Sequence, residues 1–310
     1  METGKFYSNA KLMISGEYLV LKGAVSLAVP LKLGQNMAVN QLREHNGRIE
    51  WKAMFMNKPV FECEIEYPRF TVHKSNNSIM SEKLVQMLLA SQNMNPDFLA
   101  GPESLEVITH ADFDLEWGLG SSSSLISNIA YWANVDPYKL NSGVFNGSGY
   151  DIACARAKGP ILYSIINSEP DIKEVDFCPS FADKLYFVYL GHKQNTRHSL
   201  KLNGSRLSDI TELEIHVVSE ISKHLLSARN IEEFEVYMLN HEKILGDILG
   251  MMPIKYRLFP DFAGEMKSLG AWGGDFVMVS WKASHAELIN YFAQKGYSII
   301  FPFKEIIQLS

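Results

Sequence analysis

The sequence is poor in cysteine, and its three thiols, Cys63, Cys154 and Cys178, form no CxxC pair. An odd number of widely separated cysteines argues against a disulfide framework and against a structural zinc site. No HExxH helix and no EF-hand loop is present. Basic residues are not in excess: 29 Lys and Arg stand against 35 Asp and Glu, for a net charge of −6. A nucleic-acid partner calls for a concentrated basic surface, so this balance speaks against one, although a small anionic substrate needs only a few local cations. Long apolar runs are also missing. Tyr18 to Val29 is interrupted by Lys22 and Gly23 and cannot span a bilayer, and the opening METGKFYSNAKL lacks the apolar core of a secretion signal. There is no internal repeat and no low-complexity tract. These absences predict a soluble cytoplasmic protein with neither a nucleic-acid nor a membrane partner. They leave open whether it is a monomer or a homodimer.

What is present is a globular pattern. The chain has 310 residues, 46% of them hydrophobic, which suits two domains or one large one. Alternation between turn residues predicts strands at Lys11–Ser15, Glu17–Leu21, Val25–Val39, Arg48–Phe55, Val60–Tyr67 and Ser104–Thr109. Further strands are expected at Pro160–Ile166, Leu185–Leu190, Phe276–Trp281 and Tyr297–Phe303. Helical spacing marks Ser78–Asn93, Leu125–Ala133, residues 149–157, Ser208–Ala228, Ile231–Leu249 and His285–Lys295. The order lacks the regular βα rhythm of a doubly wound sheet and points to α+β. The polar stretch NSEPDIKEVDFCPS suggests a boundary near 170–182, giving an N-terminal domain at 1–175 and a C-terminal one at 176–310.

Four segments carry possible chemistry. GLGSSSS, Gly118 to Ser124, opens directly into an apolar helical stretch. Small residues let a backbone curl so that several N–H groups face one concavity, and the helix start adds the positive end of its dipole. The same residues also suit a plain Ser-rich helix cap. Neither GxxxxGK[ST] nor a GxGxxG after a strand occurs here. SNAKLMISGEYLVLKG, Ser8 to Gly23, is a strand-turn-strand with Lys11 near its start, which could equally be a solvated edge lysine. NGSGYDIACA, Asn146 to Ala155, sets Asp151 at the head of a helix after two glycines. That carboxylate is either a cap or a group aimed at a substrate hydroxyl. SLGAWGGDF, Ser268 to Phe276, offers small residues for close approach to a ligand, or simply a loop.

Taken together and in this order, the segments resemble the GHMP superfamily of small-molecule kinases over nearly the whole chain. KLMISGEYLVLKG is similar to that family's first motif, GLGSSSS to its phosphate-binding second, and GAWGGD to its glycine-rich third. GSGYDIA resembles the segment that carries the catalytic aspartate in the mevalonate and phosphomevalonate kinases. The resemblance implies two α+β domains with the active site in the cleft between them. It implies transfer of the γ-phosphoryl group of ATP, with Mg2+, to a hydroxyl or phosphate of a small metabolite. Carried over by position, Gly118, Leu119, Gly120, Ser121, Ser122 and Ser123 would hold the phosphates, with Ser122 also at the metal. Asp151 and Lys11 would be the catalytic pair, and Gly270, Gly273 and Gly274 would form the third-motif loop. The segment YLGHKQNTRHSL stands where relatives have a substrate-facing loop. Lys193, Thr196 and Arg197 there could meet an anionic acceptor, or lie in an ordinary solvent loop with His192 and His198.

Three departures qualify the resemblance. Asp114-Leu115-Glu116-Trp117 replaces the usual proline and small residues ahead of the second motif. Leu140 stands where mevalonate kinases carry a metal-binding glutamate, leaving Asp136 or Glu116 as substitutes. Trp272 is bulky where a small residue is usual. Two alternatives follow: a diphosphomevalonate decarboxylase-like enzyme, against which Asp151 speaks, and a non-catalytic nucleotide- or ligand-binding paralogue.

Overall fold

Alternating burial builds the first strand, β1 (Gly4–Ser15), whose last four residues are all buried. The computed structural model describes residues 3–56, 58–145, 147–191, 207, 209–270, 272 and 275–309. The chain forms two compact units. One comprises Met1–Ala10, Leu33–Leu115 and Leu119–Arg156; the other comprises Lys11–Lys32, Glu116–Gly118 and Ala157–Ser310.

In the first unit, the C-terminal half of β2 (Ser26–Gln41) pairs antiparallel with β6 (Leu105–Ala111), from Gln35↔Ala111 to Gln41↔Leu105. Next come β3 (Arg48–Phe55), parallel to β6, then β4 (Lys58–Glu66) and β5 (Thr71–Ser75), both antiparallel. Their inward side chains, among them Trp51, Ile49, Val107 and Met37, form one core with four helices. These are α1 (Ser78–Met94), α2 (Ser121–Ala133), α3 (Pro137–Val144) and α4 (Tyr150–Arg156). Ile126, Ile129, Leu140 and Ile152 are among their contributions, and all four are essentially inaccessible to solvent. A polar seam fixes α2: Ser124 Oγ donates to Gln35 Oε1 at 2.8 Å, and Asn128 Nδ2 donates to the Gln35 carbonyl at 2.9 Å. Ser8 Oγ donates to Asn128 Oδ1 at 2.8 Å. Buried hydrogen-bonded pairs of this kind set one rotational position for the helix.

In the second unit, the N-terminal half of β2 pairs with β7 (Ile161–Ile166), which pairs with β8 (Glu169–Glu174). A separate antiparallel sheet runs β10 (Met266–Leu269), β11 (Phe276–Ser280), β9 (Leu185–Tyr189), β12 (Ile300–Pro302). The helices are α5 (Glu212–Ser227), α6 (Ile231–Leu249), α7 (Ile254–Leu258), α8 (His285–Gln294) and α9 (Phe303–Ile306). Val188, Val277, Val279, Phe259, Leu288 and Phe292 form the core under the sheet.

The α+β class stands, with local differences from the sequence pattern. Glu17–Leu21 is not a strand; Leu19–Lys22 is a single 3-10 turn, entered at Tyr18 with φ 63 and closed by Gly23 with φ 91. Both Leu19 and Val20 are buried there, so a turn mimics the apolar run of a strand. The polar stretch near 170–182 contains β8, whose side chains are almost all exposed and therefore show no alternation. α3 carried its own start signal, since Asp136 caps it and Pro137 follows at the first helical position. α5 begins at Glu212, after a Thr211–Glu214 capping box. No disulfide joins Cys63, Cys154 and Cys178, and among the described residues no helix is long and apolar enough to cross a membrane.

The second unit also buries charge. Glu17, His241, Glu242 and Lys267 are each no more than 3% exposed. Lys267 Nζ donates to Glu17 Oε1 at 2.7 Å and to the Ser268 carbonyl at 2.8 Å. The Gly16 N–H donates to His241 Nε2 at 2.9 Å, so that nitrogen carries no proton. Its 3.3 Å approach to Glu17 Oε2 is therefore not an ion pair. Burial also pushes the His241 pKa well down, as a neutral ring requires. Glu242 accepts the Ser268 N–H at 2.7 Å, and burial pushes its pKa up to about 7. One ammonium cannot balance two carboxylates. Burial raises Glu17 as well, but Glu17 holds the ammonium directly, so the balancing proton belongs to Glu242.

A carboxyl whose pKa is higher in the folded state costs stability as pH rises between its unfolded and folded values. Through Glu242, stability should fall between pH 4.5 and just above 7, by roughly 1–3 kcal/mol. Glu242→Gln keeps an acceptor for Ser268 and cannot ionise. Urea unfolding of both proteins at pH 5.5 and 8 should show the variant gaining on the native chain as pH rises. Parallel profiles would contradict the proton placement.

Candidate active site

The serines of GLGSSSS do not cap α2. Its N-cap is Gly120, in the left-handed conformation with φ 92, and no side chain caps the helix. Gly118 has φ 71, and Leu119 between the two glycines is only 1% exposed, anchoring the loop. Positive φ at both ends is a conformation that glycine adopts without strain. Ser121 is partly exposed and Ser122 exposed, whereas Ser123 and Ser124 are buried. First-turn N–H groups lack intrahelical acceptors and carry the positive end of the dipole. The start of α2 thus presents backbone donors and two hydroxyls with no capping side chain across them.

Asp151 lies in the first turn of α4, after Gly149 with φ 87. Its Oδ2 accepts a short hydrogen bond from Ser123 Oγ, and its Oδ1 accepts the Ile152 N–H at 3.1 Å. Two residues that the sequence singled out separately, Ser123 and Asp151, therefore meet at the starts of two helices of the first unit. Each carboxylate oxygen retains a lone pair beyond these bonds.

In the second unit, Lys11 Nζ donates to the Gly118 carbonyl at 3.2 Å. Beside Gly118 also lies Asp275, a buried residue that sequence reasoning passed over although it ends the GAWGGD run. A Cβ on Gly118 would stand 2.5 Å from Asp275 Oδ2, and one on Gly270 would stand 3.4 Å from it. The first, second and third motifs are thus represented around one glycine. Trp117, noted in the sequence only as part of the departure ahead of the second motif, is held by aromatic packing. Its ring packs against Phe301 at 5.6 Å, Tyr189 at 5.9 Å and Phe276 at 6.4 Å, and Tyr189 Oη donates to the Glu116 carbonyl at 3.2 Å. An aromatic residue among small ones was the available signal, because a ring of that size needs packing partners. Gly273, Gly274, Lys193, Thr196 and Arg197 lie outside the described residues, as do His192 and His198.

Comparison with solved structures finds kinases of similar architecture. The Methanococcus jannaschii mevalonate kinase aligns with a TM-score of 0.70 at 14% identity, over 100% of this chain and 99% of its own. The Streptococcus pneumoniae phosphomevalonate kinase, solved with phosphomevalonate and AMPPNP, gives 0.71 at 19% identity, over 96% and 99%. A Lactococcus lactis galactokinase bound to galactose gives 0.62 at 11%, over 99% and 94%. The chain has the GHMP kinase fold. No family model and no curated protein matches the sequence.

Within the GHMP fold, the three departures have physical descriptions. Leu140 is fully buried in the first unit's core, so that position offers no metal ligand. Asp136 is occupied as a helix cap, accepting the N–H groups of Tyr138 and Lys139 at 2.8 and 3.2 Å. Glu116 is exposed, with its carbonyl held by Tyr189. Trp272 is 4% exposed, packed with Tyr18, Leu19, Leu245 and Leu249 in the second unit, and its backbone N–H donates to Tyr18 Oη at 3.0 Å. Its bulk is taken up by that cluster. Among the described residues no group of three or more His, Cys, Asp or Glu could hold a metal ion.

Gly118 should therefore tolerate no side chain. Gly118→Ala meets both a positive φ and the Asp275 carboxylate, and should cost about 1–3 kcal/mol. Asp275→Ala in the same chain removes the clash but not the φ, so it should restore part of the loss. Thermal unfolding of the single and double variants checks this; strictly additive losses would contradict the contact.

Proposed function

We propose that this protein is an ATP-dependent phosphotransferase that moves the γ-phosphoryl group to a hydroxyl or phosphate of a small metabolite, with mevalonate and phosphomevalonate as the first acceptors to try. The observation that carries the proposal is the Ser123–Asp151 hydrogen bond at the uncapped start of α2. It joins a phosphate-cradling helix start to a carboxylate in a fold shared with kinases. The pairing of phosphomevalonate with AMPPNP in the Streptococcus pneumoniae enzyme supports this substrate class.

The residues present fit a nucleotide's phosphates. Gly118, Leu119, Gly120, Ser121, Ser122 and Ser123 supply a glycine-turned backbone and hydroxyls, the chemistry of an anion cradle. When bound, MgATP supplies the phosphoryl group and a cation that offsets charge on its oxygens. Ser122, exposed in the first turn of α2, would be the side chain offered to that cation. Asp151 orients the acceptor hydroxyl and takes its proton, and the Ser123 hydroxyl fixes the carboxylate's rotamer. Lys11, steadied by the Gly118 carbonyl, stabilises charge as it develops on the transferred group. The resemblance also assigns Gly270, Gly273 and Gly274 to nucleotide binding, and Lys193, Thr196 and Arg197 to an anionic acceptor. The buried Leu140 favours a second reading, in which the chain binds nucleotide without turning it over.

Turnover assayed over mevalonate, phosphomevalonate, homoserine and common sugars, with ATP affinity measured with and without Mg2+, separates these readings. Asp151→Asn keeps the shape and removes the charge. It should retain the fold and ATP binding while lowering kcat by about two to four orders of magnitude. Lys11→Met should do likewise, and the double variant should lose far less than the product of the two. If Asp151→Asn turns over normally but melts much lower, the carboxylate serves the helix and the catalytic role is wrong.

A further inference from the structure

We propose that a cavity on the flank of α2, α3 and α4 binds a small organic anion with a flat apolar body, at a site separate from the Gly118–Ser124 loop. The cavity has a volume of about 400 Å³, and its wall includes Tyr131, Asn134, Pro137, Tyr138, Ile152 and Arg156. It lies wholly within the first unit. Sites for small molecules occupy about 300–1,000 Å³ and combine apolar walls with a few placed polar groups.

Arg156 defines the ligand's charge. Its Nε donates to Ser127 Oγ at 2.8 Å, and its Nη1 donates to the Tyr7 carbonyl at 2.8 Å. Its Nη2 donates to the Ser127 carbonyl at 3.0 Å and to Asn128 Oδ1 at 3.5 Å. All of these acceptors are neutral, and among the described residues Arg156 has no carboxylate partner. Burial pushes its pKa down, as for a cation withdrawn from water without a counter-ion. Arg156 is half-buried, and a charge partly withdrawn from water gains from a counter-ion. The hydrogen bonds above leave one Nη1 N–H of the five that a guanidinium carries. A carboxylate or phosphate at the cavity mouth would take that N–H and supply the missing charge.

Tyr131 defines the ligand's body. The Arg156 guanidinium lies 3.5 Å from the centre of its ring, yet the residue remains 53% exposed. A large aromatic side chain held against a cation and still open to solvent is a stacking platform. Pro137, Tyr138 and Ile152 extend the apolar wall. The location also bears on the rest of the unit. α2 and α4 bring Ser123 and Asp151 together in their first turns, and they end in Tyr131 and Arg156 near the cavity. A ligand there would grip the same two helices at their other ends.

Phenyl phosphate and benzoate serve as probes and benzyl alcohol as the neutral control, each titrated into the full chain by saturation-transfer NMR, with and without excess AMPPNP. Both anions should bind saturably and unaffected by AMPPNP, with benzyl alcohol at least about fivefold weaker. Tyr131→Ala, at an exposed position, should weaken the anions about fivefold to tenfold with the fold intact by circular dichroism. Arg156→Gln should abolish the preference for anions. Absence of saturable binding by both anions, equal binding in Tyr131→Ala, or displacement by AMPPNP would overturn the proposal. Failure of ATP binding itself would leave these outcomes readable, because the cavity is probed directly.

Discussion

The left-handed backbone at Gly118 and Gly120 is the constraint on which the candidate site depends. It turns the chain into α2 without a capping side chain, so the first-turn N–H groups face outward and the serines fall inside the helix. Had the chain entered α2 through a serine N-cap, that hydroxyl would have occupied one of those donors. The same turn sets Gly118 between the Lys11 ammonium and the Asp275 carboxylate, where only a residue without a Cβ fits.

Two sets of buried polar contacts keep this geometry in place. Under α2, the Gln35–Ser124 and Gln35–Asn128 bonds fix the helix rotation, so that Ser123 meets Asp151 while Ser122 stays exposed. In the second unit, Lys267 ties the Glu17 turn of the first motif to β10, the strand that leads into Gly270. Glu242 on α6 holds the next residue, Ser268, by its N–H. The second network is not complete: among the described residues, Glu17 Oε2 and His241 Nδ1 are buried without a hydrogen-bond partner. The positions of both networks beside the motifs tie fold stability to the placement of the candidate site.

Much of this was legible in the sequence. Long elements with clean periodicity, such as β3 at Arg48–Phe55 and α6 at Ile231–Leu249, match their expected bounds. The four small-residue segments indicated the fold although no family model or curated sequence matches and the similar structures share only 11–19% identity with the chain. That works because a phosphate-binding turn constrains a handful of backbone angles, whereas the core needs only apolar residues of suitable volume. What stayed hidden depended on tertiary neighbours. β8 has no buried face to create alternation. Asp275 and Trp117 acquire meaning only from the residues packed on them, and the charge of Arg156 becomes notable only once its partners prove neutral.

The most direct test of the account is amide hydrogen–deuterium exchange across Gly118–Ser124, with and without AMPPNP and Mg2+. If the uncapped start of α2 cradles phosphates, the nucleotide should slow exchange at the amides of residues 120–123, while the cavity flank at 130–138 is unaffected. Unchanged exchange at 120–123 under nucleotide saturation, with protection elsewhere, would contradict the assignment of the phosphate site.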